Sequence, residues 1–323
     1  MKSRLFLSVA MSITMLTHGQ NQIDRIAFGA CSFQFGKQQV WKSVIKQEPN
    51  LWIWLGDNIY GDTEDMATMA SKYAQLDSNA NYRLLKQTMP ILATWDDHDY
   101  GGNNLGKHYP KKAESKNIFL TFFGEPKDSP RWNRQGVYTS YTYGEGDRKV
   151  KVILLDTRYN RDDPSPDGDM LGEEQWAWLE QEFRANDAKI TIIASSIQFV
   201  NTFKSFETWH NFPKSKKRML DLIASTQLKG AFFISGDVHL AEISKHKYDA
   251  VPYPIFDFTS SGLTHGNQIT GFRNPFRVGP RWGFRNFATV EFDWEKQEVG
   301  MSVHDMLGTR VYKHEVPFTE LGY

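Results

Sequence analysis

From residue 51 to residue 62 the chain reads LWIWLGDNIYGD, and at Gly56 an unbroken apolar run gives way to Asp57, Asn58 and Tyr60. A short apolar run of this kind reads as a buried strand, so its end delivers a carboxylate and a phenol into one small space. Five further apolar stretches end in groups able to coordinate or to carry charge. Cys31 follows RIAFGA at 25–30, and Asp96-Asp97-His98-Asp99 follows ILATW at 91–95. Asp156 and Arg158 follow 150–155, Gln198 follows 190–194, and Asp237 with His239 follows 231–234. Thiolate, phenolate and carboxylate are anionic donors that suit a highly charged ferric ion. Carboxylates and amide oxygens suit harder divalent ions such as Ca²⁺, Mg²⁺ or Mn²⁺. On that division Cys31, Asp57, Tyr60 and His239 hold a first ion, and Asp57, Asp97, Gln198 and Asp237 hold a second, with Asp57 as the bridge. Taken alone, DDHD at 96–99 would read as a solvated acidic turn; its place at a strand end, with Cys31 and Asp57, favours a cation.

The elements that must position these groups follow from periodicity. The pattern predicts a strand at 25–30, a helix over 37–47 and a strand at 51–55. Such a strand-helix-strand unit favours parallel neighbours whose loops open on one edge, which makes Cys31 and Asp57 neighbours in space. Residues 66–88 read as one helical stretch closed by Pro90, followed by the strand 91–95. Residues 101–149 read as an insertion, either a lid over the site or a surface excursion. Strands at 150–155, 190–194 and 231–234 alternate with helices at 172–184 and 216–227. Later strands, at 255–259, 287–293, 299–303 and 309–314, look antiparallel. Ligands of open α/β sheets bind beyond the carboxyl ends of the strands, so six such ends can meet in one crevice.

The chain has 323 residues, 40% hydrophobic and 14% aromatic, enough to bury a full core as one domain over residues 20–323. Its ten tryptophans mark either core or a cleft. Residues 1–19 carry Lys2 and Arg4 before an apolar run and end in Thr17-His18-Gly19, the pattern of an export signal peptide cleaved near Gly19. The run is shorter than the roughly 20 residues that span a bilayer. Without Lys2 and Arg4 the chain holds 36 basic against 38 acidic side chains, a balance that implies neither nucleic acid nor an anionic membrane surface as a partner. Cys31 is the only cysteine, so no internal disulfide forms, and a lone thiol in an oxidising compartment calls for something to occupy it.

GDNIY at 56–60 resembles the GDxxY of purple acid phosphatases. WDDHD at 95–99 and SGDVH at 235–239 stand where metallophosphoesterases carry GNH(D/E) and GHxH. The fuller resemblance is to the PhoD-type alkaline phosphatase/phosphodiesterase family. It runs through GACS at 29–32, LGDNIYGD at 55–62, WDDHDYG at 95–101, LLDTRYNRD at 154–162, LGEEQWAWLE at 171–180, ETWHNFPKSKKRML at 207–220 and SGDVH. The resemblance implies an α/β fold, a four-layer α/β/β/α sandwich of two mixed sheets flanked by helices. It also implies Fe³⁺ and Ca²⁺ as cofactors, Tyr60 and Cys31 as iron ligands, and small phosphate-ester substrates cleaved in the periplasm or outside the cell. Two departures stand out. Asp97 replaces an asparagine ligand, and SSIQ at 195–198 has no histidine, leaving Gln198, Ser196 or a water to serve.

The chemistry so implied is in-line hydrolysis by a metal-activated water. His98 protonates the leaving alkoxide and Asp99 orients its ring. Arg158 either forks onto a phosphate oxygen or braces its loop against Asp156 or Asp162. Asn58, Trp209 and His210 are candidate substrate contacts, with core packing the alternative for the last two. His108, His246, His265, His304 and His314 lie in no motif and read as surface or satisfied histidines. A dedicated phosphodiesterase or phospholipase, with 101–149 and 263–287 forming a groove, is the alternative enzyme. A non-catalytic binding module would need a broken site, yet Cys31, Asp57, Tyr60, Asp97, His98, Asp237 and His239 are all in place.

Overall fold

The computed structural model describes residues 22–203, 207–269 and 273–323. The expected export signal at 1–19 lies outside the described residues. The strand β1 (Arg25–Gly29) leads through the short helix α1 (Val40–Ile45) to β2 (Leu51–Leu55). Helices α2 (Met66–Ser78) and α3 (Ala80–Thr88) then precede β3 (Ile91–Thr94). The three strands pair in parallel, Phe28 beside Ile53 and Ile53 beside Leu92, as the strand-helix-strand reading requires. The single helical stretch expected over 66–88 is two helices because Asn79 ends one and starts the next. Its side-chain oxygen accepts from the backbone N–H groups of Asn81 and Tyr82, which competes with a continuous helix.

A four-residue turn of helix, α4 (Asp97–Tyr100), follows β3, and then α5 (Lys112–Phe122) and β4 (Thr139–Tyr143). Two elements of the segment 101–149 pack into the body of the fold. Phe119 and Leu120 of α5 are buried with Trp95, and β4 closes one edge of a sheet antiparallel to β5 (Val150–Leu154). The chain continues through α6 (Glu173–Arg184), β6 (Ile190–Ser195), α7 (Pro213–Ser225), β7 (Ala231–Ser235), β8 (Ala241–His246) and β9 (Ile255–Ser260). It ends with β10 (Arg277–Trp282), β11 (Asn286–Asp293), β12 (Glu298–Asp305) and β13 (Arg310–Pro317). The strands form a six-stranded sheet, β13-β12-β11-β1-β2-β3, and a seven-stranded sheet, β10-β8-β9-β7-β6-β5-β4. Three of the late strands, β11 to β13, run antiparallel as expected, but β9 lies parallel to β7 and antiparallel to β8. The sequence pattern misses β8 and also β10, whose Gly279 and Pro280 are exposed and tolerated only on an edge.

Strand alternation explains the layering. In β2, Leu51, Ile53 and Leu55 point between the sheets, while Trp52 and Trp54 point to the helical side and pack with Trp41, Tyr82 and Leu85. In the other sheet, Val150, Val152, Ile190, Ile192, Phe232 and Ile234 meet that same central layer. Ile153, Ile193 and Phe233 face α6 and α7. Two sheets with two outer helical layers make the four-layer α/β/β/α sandwich.

Candidate metal centre

The carboxyl ends of β1, β2 and β3 open toward those of β6 and β7. At β1 and β2 the loops run side by side, with Cys31 N–H bonded to Gly56 O at 3.4 Å and Ser32 N–H to Asp57 O at 2.9 Å. Gly56 is required here: its φ is +101°, and a Cβ would meet Asp96 Cβ at 2.4 Å, so only glycine lets the ends of β2 and β3 touch. Cys31, Asp57, Asp237 and His239 all adopt positive φ, at 62°, 47°, 71° and 57°. That clustering of left-handed, non-glycine backbone is typical of a functional site held by its surroundings.

Three groups of potential ligands interlock, each with atoms within 4.8 Å of one another: Cys31, Asp57 and His239; Asp57, Asp97 and His98; Asp96, Asp97 and Asp237. Asp57 is common to the first two and Asp97 to the last two. The Cys31 thiol lies 3.4 Å from Asp57 Oδ2 and 3.6 Å from the carbonyl of Asp237. Burial, and then the charges of Asp57 and Asp237, push the thiol well above its ordinary range. Burial and then Asp97 do the same to Asp57, and burial and then Asp96 to Asp237. Burial also raises the Tyr60 phenol, with Cys31 adding to it. Anionic donors packed so tightly cannot all ionise in an empty site, and a multivalent cation removes the penalty. Asp96 Oδ2 and Asn58 Oδ1 are buried without a hydrogen-bond partner. A thiolate, a phenolate, a neutral imidazole and carboxylates therefore fit metal ions. His239 is held below its usual pKa by burial and by His98, which favours the neutral form that coordinates.

The Tyr60 hydroxyl sits 3.2 Å from His239 Nε2 and 3.0 Å from His265 Nε2. His265 read as a residue without a motif; it is a neighbour of the centre, and burial with His239 nearby lowers its pKa to about 4. His98 is half-buried with its ring 4.4 Å from that of Tyr60, and its Nδ1 lies 2.6 Å from Asp62 Oδ1. Burial draws the imidazole down, but the Asp62 hydrogen bond and the charge of Asp97 leave it above its ordinary value.

Several expected roles are corrected. The partner of His98 is Asp62, not Asp99. Asp99 is buried on the other side of its turn, where Oδ1 accepts from the backbone N–H groups of Asp96 and Asp57 and Oδ2 from Asn58 Nδ2. Asn58 also donates to Thr94 O, so its amide ties β2 to β3 rather than reaching out to a substrate. Arg158 is wholly buried, with Nε 2.5 Å from Asp96 Oδ1 and Nη2 2.6 Å from Glu207. It forks onto protein carboxylates, and its brace is Asp96 rather than Asp156 or Asp162. Trp209 is buried, bonded through Nε1 to Ser195 and packed against Trp176 and Phe199, while His210 beside it is half-buried.

Gln198 does not join the cluster. Its amide nitrogen donates to Glu242 and Thr259, and its oxygen accepts from Asn201. The nearby Ser196 hydroxyl instead reaches Asp96 at 2.5 Å. Asp96, Asp62, Glu207 and His265 are the neighbours not singled out from sequence. Asp96 and Asp62 lie inside WDDHD and LGDNIYGD and could have been found there; nothing local marks His265.

A model of the family described as PhoD-like phosphatase matches residues 26–278. Alkaline phosphatase D of Bacillus subtilis (strain 168) is 26% identical over 291 residues, 73% of this chain and 48% of that protein. The chain thus spans about half the length of this curated relative. The solved structure of PhoD superposes with a TM-score of 0.73 at 20% identity, covering 93% of this chain and 69% of that one. Purple acid phosphatase PPD1 from yellow lupin (Lupinus luteus) seeds gives 0.66 at 13% identity, covering 94% and 56%. Both likenesses bear on the fold, which is that of the metallophosphoesterases.

Proposed function

Because this chain belongs to the PhoD-like phosphatase family, we propose that it is a metal-dependent phosphoesterase that cleaves phosphate monoesters, diesters or both after export. The observation that carries the reading is the interlocking of three buried ligand groups through Asp57 and Asp97. The basic start and apolar run of residues 1–19 support export, and no helix among the described residues is long and apolar enough to cross a membrane. Cys31, Asp57, Tyr60 and His239 would hold Fe³⁺, and Asp57, Asp96, Asp97 and Asp237 a divalent ion such as Ca²⁺. Bound there, the ions would supply Lewis acidity toward the phosphoryl oxygens and a lowered pKa for water.

The chain's own residues do the rest. His98, whose Nδ1 is bonded to Asp62, gives a proton to the departing ester oxygen. Arg158 and Ser196 hold Asp96, and Asp99 fixes the loop that presents Asp57. The test combines elemental analysis with hydrolysis of p-nitrophenyl phosphate. Chelation should abolish turnover and metal return should restore it, while Cys31→Ser should lose iron and at least about tenfold in kcat/KM. Full activity in a metal-free sample would overturn the reading. A tyrosinate on Fe³⁺ should also colour the protein, and an iron-loaded sample with no visible absorption band would remove Tyr60 from the ligand set.

A further inference from the structure

Beside the metal centre lies a groove of about 530 Å³ whose lining includes His265, Trp282, Phe284, Arg285, Met306 and Leu307. Its volume falls in the range of sites that enclose small organic groups. His265 joins the two places, since it lines the groove while its Nε2 lies 3.0 Å from the Tyr60 hydroxyl. The groove is pre-formed. Asn267 N–H is bonded to the carbonyl of His239 at 2.6 Å, Asn286 N–H to Gly262 O at 2.8 Å, and the Asn286 amide to Phe284 O at 2.8 Å. These bonds tie the groove to a metal-binding loop on one side and to β11 on the other.

Its surface is unusual for one that faces water. Phe284 is 51% exposed and Leu307 70%, and the rings of Trp282 and Phe284 lie 5.1 Å apart, tilted by 53°. Large apolar groups left open beside a reaction centre mark a place where a ligand covers them. The aromatic pair offers π faces, and Arg285 adds a guanidinium that stacks on rings and attracts an anionic substrate. Within the centre, the Tyr60 ring contacts the His98 ring, and its hydroxyl contacts His265. A phosphate seated at Tyr60 with its leaving oxygen at His98 would have its other ester arm on the side of His265, which lines the groove.

We propose that this groove is a subsite for a planar aromatic group on the non-leaving arm of the phosphate ester, so that diesters with an aryl or nucleoside arm are the preferred substrates. The proposal rests on the phosphoesterase reading above. The test uses the purified enzyme with its resident metals and four diesters that share a p-nitrophenolate leaving group but differ in the other arm: methyl, octyl, phenyl and thymidine 5′. Stacking should raise kcat/KM for phenyl and thymidine about tenfold over methyl. Phenyl without thymidine would identify a simple aryl site, and thymidine above phenyl a nucleoside site; both support the aromatic assignment. Phe284→Ala should bring the aromatic-to-methyl ratio close to one, and the wild-type ratio stands as evidence even if that variant fails to fold. Equal rates for methyl, phenyl and thymidine overturn the subsite, and octyl above phenyl overturns it in favour of an acyl-binding groove. If none of the diesters turns over while p-nitrophenyl phosphate does, the subsite fails and the phosphoesterase reading stands. If nothing turns over, both fail.

Discussion

Arg158 has its guanidinium wholly buried between Asp96 and Glu207, with Nη1 unpartnered. Removing it strands Asp96 beside Asp97 and Asp237, so Arg158→Met should destabilise the protein by about 3–5 kcal/mol in urea unfolding. The His98 pair makes a different prediction. His98→Asn should lower kcat by about 10²–10⁴ for esters with alkyl leaving groups, which need a proton, and far less for p-nitrophenyl esters. Asp62→Asn should follow the same pattern with a smaller loss, because it removes only the partner that orients and charges the imidazole. Assigning Asp99 that task from sequence rested on adjacency in the chain. Neighbouring residues on a helical turn point about 100° apart, and Asp99 accordingly faces the interior while His98 faces the cleft. Asp62 lies 36 residues before His98 in the chain, and only the approach of the β2 loop to α4 brings it there, through the bonds of Gly61 N–H and Asp62 N–H to His98 O.

At the scale of elements, buried strands were legible because a run such as LWIWL is apolar throughout and stops at polar residues. Helix α7 carries a less legible feature. Lys216 on it is only 7% exposed, with its ammonium donating to Val200 O and lying 5.3 Å from the Phe199 ring centre. Burial lowers its pKa from 10.5 to about 8. The folded pKa lies below the unfolded one, so the unfolded chain binds more protons between them and stability rises with pH across that window. Below about 8 the full cost of burying the ammonium is present. Lys216→Met should therefore stabilise the protein at neutral pH by about 1–3 kcal/mol, an advantage that fades as pH approaches 10.5. Unfolding by urea at several pH values checks both the sign and the window; a pH-independent gain would show that burial leaves the lysine's pKa unshifted.

Over the whole molecule, the metal centre is a seam between two sheets, with Cys31, Asp57 and Asp97 following strands of one and Ser196 and Asp237 following strands of the other. Stability and metal occupancy should therefore be linked. Metal at a hundredfold excess over its Kd should stabilise the fold by about 3 kcal/mol, read as a raised Tm against a chelated control. In the chelated state Asp57→Asn should melt above the wild type, since it removes one of the mutually repelling carboxylates. The sequence alone determined the strand ends and the donor types they carry, because an apolar run that stops at Asp, Cys or His declares both the buried strand and the group at its end. It also carried the resemblance from which the family and the layered α/β fold were read. Which of those end groups face the cleft was decided only by tertiary structure. Gln198, Trp209, Asn58 and Arg158 turn to partners inside the fold, and His265 arrives from 205 residues beyond Tyr60 to stand against its hydroxyl. The reason is physical: a side chain's direction at a loop is set by the hydrogen bonds and contacts available where two sheets meet, and those partners are distant in the chain.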